Sequence, residues 1–211
     1  MTPGIVLKTE PVGEYDRRVV LLTKDMGKIA AFAKGARRQG NRFAASTDIF
    51  SFGEFKLYCG RNSYSINDAV ISNYFEAFRE QFEDAMYGMY FLEVMDYLTR
   101  ESNDEKEMLK LLYQSLRAAL HPAYDNRLVQ VIFEIKAMVL MGEFHMVTDD
   151  SKYKSGTLYA VDYIVKQKVE KLFNFMVNEE ILEELIGICK EEKFKLWNHH
   201  FKSEEMLANI G

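Results

Sequence analysis

The feature that most constrains the fold is a change of hydrophobic period near residue 72. Before it, apolar residues alternate with polar ones in short runs. Ile5-Val6-Leu7-Lys8-Thr9 precedes Pro11 and the polar stretch Gly13-Glu14-Tyr15-Asp16-Arg17. Val19–Leu22 meets Lys24-Asp25-Met26-Gly27, a hairpin-like link into Lys28–Ala33. Phe55, Leu57 and Cys59 then alternate with Glu54, Lys56 and Tyr58, the period of a half-buried strand. Gly60-Arg61-Asn62-Ser63 supplies a turn, and Tyr64–Ser72 reads as a fifth strand. Five short strands joined by polar turns suit a small antiparallel barrel. An OB-fold and an SH3-like barrel both satisfy this pattern.

From about Tyr74 the period becomes helical. Phe78, Phe82, Ala85, Met89 and Leu92 form one stripe, predicting a helix over 76–99. Ser102-Asn103-Asp104-Glu105 reads as a helix start that leads into Met108, Leu112, Leu116 and Ala119 and stops at Pro122. Leu128, Val131, Ile132, Ile135, Met138 and Val139 mark a weakly charged third helix that closes near Gly142, the expected centre of a bundle. Residues 143–160 lose the pattern, and helices are expected again over 161–174, 179–192 and 194–208. Tyr74-Phe75 at the change of period is too apolar for a flexible linker.

At 211 residues, 48% hydrophobic and 28% charged, the chain can bury a substantial core. Its apolar runs fall short of the roughly 18–20 residues of a membrane helix, and its first residues lack a signal-peptide pattern, so a cytoplasmic location is expected. Cys59 and Cys189 stand 130 positions apart within apolar patterns, which predicts reduced, buried thiols and no disulfide. The four histidines lack ligand spacing, so neither a metal nor another cofactor is expected. The net charge of −5 hides an asymmetry. Residues 1–72 carry 11 Lys and Arg against 7 Asp and Glu, a balance of +4; the remainder carries 16 against 25, a balance of −9. Such asymmetry points to a polyanion-facing segment.

The cations concentrate in Lys34-Gly35-Ala36-Arg37-Arg38-Gln39-Gly40-Asn41-Arg42, directly after the third strand. A glycine-loosened loop can present them together to a phosphate backbone; its plain alternative is a solvated surface loop. Gly35 and Gly40 share the outer spacing of a phosphate-binding P-loop, but no Lys-Ser/Thr follows Gly40. A dinucleotide fingerprint, a Gly-x-Ser-x-Gly elbow and His-Glu-x-x-His are absent too. The pairs Glu179-Glu180, Glu183-Glu184, Glu191-Glu192 and Glu204-Glu205 read as solvated helix faces, so no enzyme is expected. Tyr58 and Tyr64 fall on the polar sides of their alternations as possible base-stacking rings, whereas Phe32 continues an apolar set and is expected in the core.

Several runs, in order and spacing, resemble the RecO family of bacterial recombination mediators. They are Gly4–Lys8, Gly13–Arg17, Leu21-Leu22-Thr23, Gly27-Lys28-Ile29, the prominent Ala33–Arg38, Phe133–Ala137 before Gly142, and Phe201-Lys202-Ser203. The resemblance implies an α+β chain in two parts, an N-terminal five-stranded OB-fold barrel (1–74, DNA-binding) followed by an all-α helical domain (75–211). It implies a DNA repair and recombination mediator that binds ssDNA and dsDNA, anneals complementary strands and helps load RecA recombinase onto SSB-coated DNA. The SSB C-terminal tail and RecR would be partners, in a cytoplasmic, nucleoid-associated setting. Many relatives hold zinc with four cysteines after the helix ending here at Gly142; this chain has none between Cys59 and Cys189, so packing alone is expected to hold 143–160.

The candidate nucleic-acid-binding residues are Lys34, Arg37, Arg38 and Arg42, with Arg17, Lys28 and Arg61 on neighbouring elements. The rival reading is a protein-interaction scaffold that binds the SSB tail and RecR with little direct DNA contact. Lys136, Lys166, Lys168 and Lys202 would then flank an apolar groove. A nuclease reading would need clustered carboxylates and a divalent metal.

Overall fold

The computed structural model describes residues 1–61, 63–149, 151–197 and 199–208. Two compact units emerge, Met1–Glu80 with Leu92–Leu109, and Gln81–Phe91 with Lys110–Gly211. In the first, β1 (Thr2–Val12), β2 (Asp16–Thr23), β3 (Gly27–Ala33), β4 (Phe52–Cys59) and β5 (Tyr64–Asn73) close a barrel of order β1-β2-β3-β5-β4. Every pairing is antiparallel except β3 with β5, a parallel ladder described by Ala31↔Tyr64 and Phe32↔Ser65. A short helix α1 (Phe43–Ser46) lies between β3 and β4. Asn62, within the turn expected at 60–63, lies outside the described residues.

Period two decides what fills the barrel. Val19 and Leu21 of β2, Ile29, Ala31 and Ala33 of β3, Phe55 of β4 and Ile66 of β5 point inward with Val6. Ala36 and Phe43 join this core from the β3–α1 connection. Phe32 is on the outer face of β3 and half-buried, contrary to expectation. The run Ile29–Ala33 is apolar on both faces, so alternation could not choose between them.

The β2–β3 turn needs Gly27. Its φ is +66°, and a Cβ there would stand 2.3 Å from the Arg100 carbonyl oxygen. That close approach lets Lys28 N donate to Arg100 O at 2.9 Å and Ser102 N donate to Met26 O at 3.1 Å.

The remaining helices are α2 (Phe82–Leu98), α3 (Lys106–Ala119), α4 (Asn126–Met141), α5 (Ser155–Lys166), α6 (Glu179–Leu196) and α7 (Lys202–Ala208). α4 is buried through Leu128–Met138, capped by Asp125 and closed by Gly142 in the left-handed region. None of the helices described is long and apolar enough to cross a membrane.

Three helix boundaries differ from the sequence reading. The helix expected from 76 begins at Phe82; before it Phe75 takes φ +50°, and a 3-10 turn covers Glu76–Arg79. Phe78 and Phe82 match in spacing, but Phe82 is 70% exposed. The helix expected at 161–174 runs 155–166; its end was placed too late because Val169 in the following 3-10 turn and Leu172 just after it mimic helical spacing. The helix expected from 194 is the end of α6 followed by a break at Trp197 and then α7. Phe194, Trp197 and Phe201 imitate one stripe, yet Phe194 is 90% exposed while the other two are buried.

The interior of the second unit includes a polar cluster centred on α4. Glu134 of α4 is buried, and it accepts hydrogen bonds from the Tyr90 hydroxyl, from Gln130 Nε2 at 2.9 Å and from Cys189 Sγ at 2.9 Å. Lys193 Nζ supplies the compensating cation at 2.8 Å and also reaches Glu204 of α7. One lysine thus joins α4, α6 and α7. Breaking a buried pair leaves a charge without its partner.

Lys193→Ala is therefore expected to lower unfolding stability by about 3–5 kcal/mol in urea titration. Lys190→Ala, on the exposed side of α6, should stay within about 0.5 kcal/mol of the parent. Burial, reinforced by the Glu134 carboxylate, pushes the Cys189 thiol well above its ordinary 9.0. A raised folded-state pKa stabilises fully below the unfolded value and is lost as pH rises above it. The urea midpoint should therefore fall between pH 9 and 10, and fall less steeply in Cys189→Ala. Tyr90, pushed above 10.0 mainly by burial, adds its slope only at higher pH.

Candidate nucleic-acid interface

The loop after β3 is tied down along its length. Gly35 and Gly40 take φ of +67° and +74°, which let the chain reverse twice. Gly35 N donates to Asp16 Oδ1 at 2.7 Å, Arg37 N to Tyr15 O at 2.9 Å, and Phe43 N to Asn41 Oδ1 at 2.8 Å. With Ala36 buried as an anchor, the cations project from a fixed frame.

The seven cations named from the sequence have different fates. Arg17 is half-buried; its Nη1 donates to Ala44 O at 2.9 Å, Thr47 Oγ1 at 3.1 Å and Asp48 Oδ1 at 2.7 Å, clamping α1 to the barrel. Lys28 is answered by Asp96, with Nζ 2.9 Å from Oδ1. Arg37 is exposed but donates to the carbonyls of Gly13 and Glu14 at the β1–β2 tip. Arg38 lies over the Tyr15 ring at 4.6 Å. Arg42 stacks on Phe43 at 4.6 Å and touches Asp68 at 3.5 Å. Lys34 and Arg61 are exposed, and neither meets a carboxylate among the described residues.

Two hollows gather these groups on the barrel. A groove of about 760 Å³ is lined by Lys34, Arg42, Lys56, Tyr58 and the Ser65–Asp68 stretch of β5. Lys56 and Tyr58 stand two apart on the outer face of β4, and Tyr58 is 61% exposed. Three cations face one carboxylate, Asp68, which also receives the Arg42 contact. The sequence reading missed Lys56; its signal was the shared parity with Tyr58. The second hollow, about 440 Å³, brings Arg61 beside Arg18, Phe32 and Tyr64, with Glu101 on its wall. Arg18 is paired with Glu10 at 3.2 Å. Tyr64, expected on the polar side, shares a face with Ile66 and packs against the barrel core.

Among the described residues, those of 143–160 included, no group of three or more His, Cys, Asp or Glu could hold a metal ion. Nor is packing alone what holds that segment. His145 Nδ1 lies 3.0 Å from Glu192, Lys152 Nζ 3.3 Å from Glu191, and Lys154 N donates to Glu184 at 3.1 Å. Thr157 Oγ1 adds a bond to Glu184 at 2.5 Å. The glutamate pairs of α6, taken as a solvated face, serve here as ion-pair partners.

A closed barrel of order β1-β2-β3-β5-β4 with a helix between β3 and β4 is an OB-fold, and here it carries a cationic groove ahead of an all-α unit. Family comparisons agree with that architecture. The profile "Recombination protein O N terminal" matches residues 1–75, and "Recombination protein O C terminal" matches residues 79–150. The DNA repair protein RecO of Acetivibrio thermocellus is 28% identical over 87% of this chain and 86% of its own. Those of Clostridium novyi (33%, 67% of this chain) and Symbiobacterium thermophilum (34%, 66%) align over 55% of their own lengths. The chain belongs to the RecO family.

The geometry separates structural from free cations. Arg17→Ala should reduce unfolding stability by about 1–3 kcal/mol, because it strips charged hydrogen bonds from α1. Lys34→Ala should change it by less than about 0.5 kcal/mol. Parallel urea titrations check both, and equal losses would contradict the division.

Proposed function

We propose that this chain is a DNA repair mediator whose OB barrel holds DNA by its phosphates. The observation that carries the reading is the barrel groove in which Lys34 and Lys56, without ion-pair partners among the described residues, stand beside Arg42 and the exposed Tyr58. Contacts of cations to phosphate carry no sequence information, so binding to single and double strands is sequence-independent. Neutralising two strands that repel each other lowers the barrier to their pairing, which is how such a surface anneals without covalent chemistry. Family membership supports the further roles of helping RecA recombinase onto SSB-coated DNA and of meeting RecR and the SSB tail.

The original basic loop contributes unequally on this reading. Lys34 and Arg42 face the groove, and Arg61 extends the positive surface through the second hollow. Arg37 and Arg38 shape the β1–β2 tip and act as secondary contacts. Arg17 and Lys28 act through the fold.

One observation favours the scaffold reading alongside this one. In the helical unit an apolar hollow of about 440 Å³ is lined by Tyr159, Tyr163, Phe175, Met176 and Ile181, with Tyr159 and Met176 more than 70% exposed. Its cationic rim is thinner than expected, since Lys136 is buried and donates to the carbonyls of Ile164, Val165 and Gln167.

The test is the salt dependence of affinity for a fluorescently labelled single strand of arbitrary sequence, measured by anisotropy between about 50 and 200 mM salt. Each lost phosphate contact flattens the log–log slope by about 0.7. Lys34→Ala/Lys56→Ala should flatten it by about 1.4. An unchanged slope and affinity would remove this groove from the DNA site.

A further inference from the structure

We infer that Tyr58 is a base-stacking platform that makes the barrel groove select single strands over duplex. The inference rests on the proposed DNA-binding groove and names the substrate class that the groove prefers.

Four observations converge on it. Tyr58 is on the outer face of β4, opposite Ser65 of β5, so no bulky cross-strand neighbour covers its ring. Its side chain is 61% exposed within a concave surface and not on a convex one. Lys56 precedes it by two residues on the same face, about 7 Å away along the strand. A nucleotide whose phosphate rests at Lys56 can therefore reach the ring. Across the groove, Arg42 uses its guanidinium face on Phe43 and donates from its N–H edge to Asn67 O and Asp68 Oδ1, which fixes its positive charge on the groove wall.

The other aromatic groups near these cations do not offer the same surface. Phe43 is buried with Arg42 over it, Tyr15 is 40% exposed with Arg38 over one face and lies outside the groove lining, and Tyr64 packs against the barrel core. Tyr58 is the aromatic ring left open inside the groove.

The physical distinction between ligands is simple. Cations at Lys34, Arg42 and Lys56 recognise a phosphate on either kind of strand. A π-face can stack only on a base whose own face is free, which a single strand supplies and the interior of a duplex does not. Stacking on a protein ring contributes enough per base to be measured by truncation. The hydroxyl of Tyr58 is not required for this role.

Three variants of the full chain separate the possibilities: Tyr58→Ala, Tyr58→Phe and Lys34→Glu/Lys56→Glu. Each is titrated with an oligothymidine and with a blunt hairpin duplex at one fixed salt concentration. Tyr58→Ala should weaken oligothymidine binding by about 5- to 150-fold, the equivalent of one stacked base. Its duplex affinity should change less than twofold. Tyr58→Phe should bind both ligands like the parent. The charge-reversed pair should lose affinity for both.

Equal losses on the two ligands in Tyr58→Ala, or no loss on either, would overturn the stacking role while leaving the groove in place. Failure of Tyr58→Phe to restore single-strand binding would overturn it as well. If the charge-reversed pair binds both ligands normally, the groove itself is not the DNA site, and both readings fall together.

Discussion

The parallel pairing of β3 with β5 is the constraint on which the barrel unit depends. Its described ladder is short, Ala31↔Tyr64 and Phe32↔Ser65, where the β1–β2, β2–β3 and β4–β5 ladders run for most of a strand. Because β3 leaves β5 so soon, the chain after Ala33 must cross the barrel end, and Ala36 and Phe43 fill the space that a longer ladder would have closed. The groove is the external consequence of that departure. Lys34 lies where β3 separates, and Lys56 and Tyr58 lie on the strand that stays paired. Arg17 then makes the arrangement rigid by tying α1 and Asp48 back to β2.

A different solution holds the helical unit together. There the charge is interior: Glu134 and Lys193 meet where α4 and α6 pack, and Glu204 brings in α7. Such a pair gives little net stability compared with an apolar replacement, but it penalises misregistered helices, which would strand a charge. The segment 143–154 is fixed by the same kind of chemistry at the surface, where each ion pair contributes little and several together fasten the segment to α6. Distributed polar contacts to α6 therefore hold this segment in place.

How much was legible from sequence follows from what each signal encodes. The five strands could be read because alternation reports burial on one face, and it failed at Phe32, where both faces are apolar. The β3–β5 ladder is a long-range pairing with no local signature, so an OB-fold could not be told from another small barrel by period alone. Helix ends were misplaced at 82, 166 and 197 because 3-10 turns and a buried Trp197 continue the helical spacing of apolar residues without the helix. The basic loop was visible as charge, but charge alone does not reveal a partner. Asp48 and Asp96 lie far along the chain from Arg17 and Lys28 and turn both into structural residues. Lys56 escaped notice for the converse reason: alone in a strand it looks ordinary, and only the fold places it opposite Lys34.

If the groove anneals strands as proposed, its composition also bears on how it releases what it holds. Phosphate contacts are diffuse and exchange with salt, so they hold a strand without fixing its bases. One open ring adds about 1–3 kcal/mol for a single base. Pairing with a complementary strand returns about 1.4 kcal/mol per stacked step, and a few steps exceed what the ring offers. A groove lined by many aromatics would compete with the incoming strand over its whole length. On the proposed function, with Tyr58 as the open ring of its lining, the groove would orient a strand and still yield it to its complement.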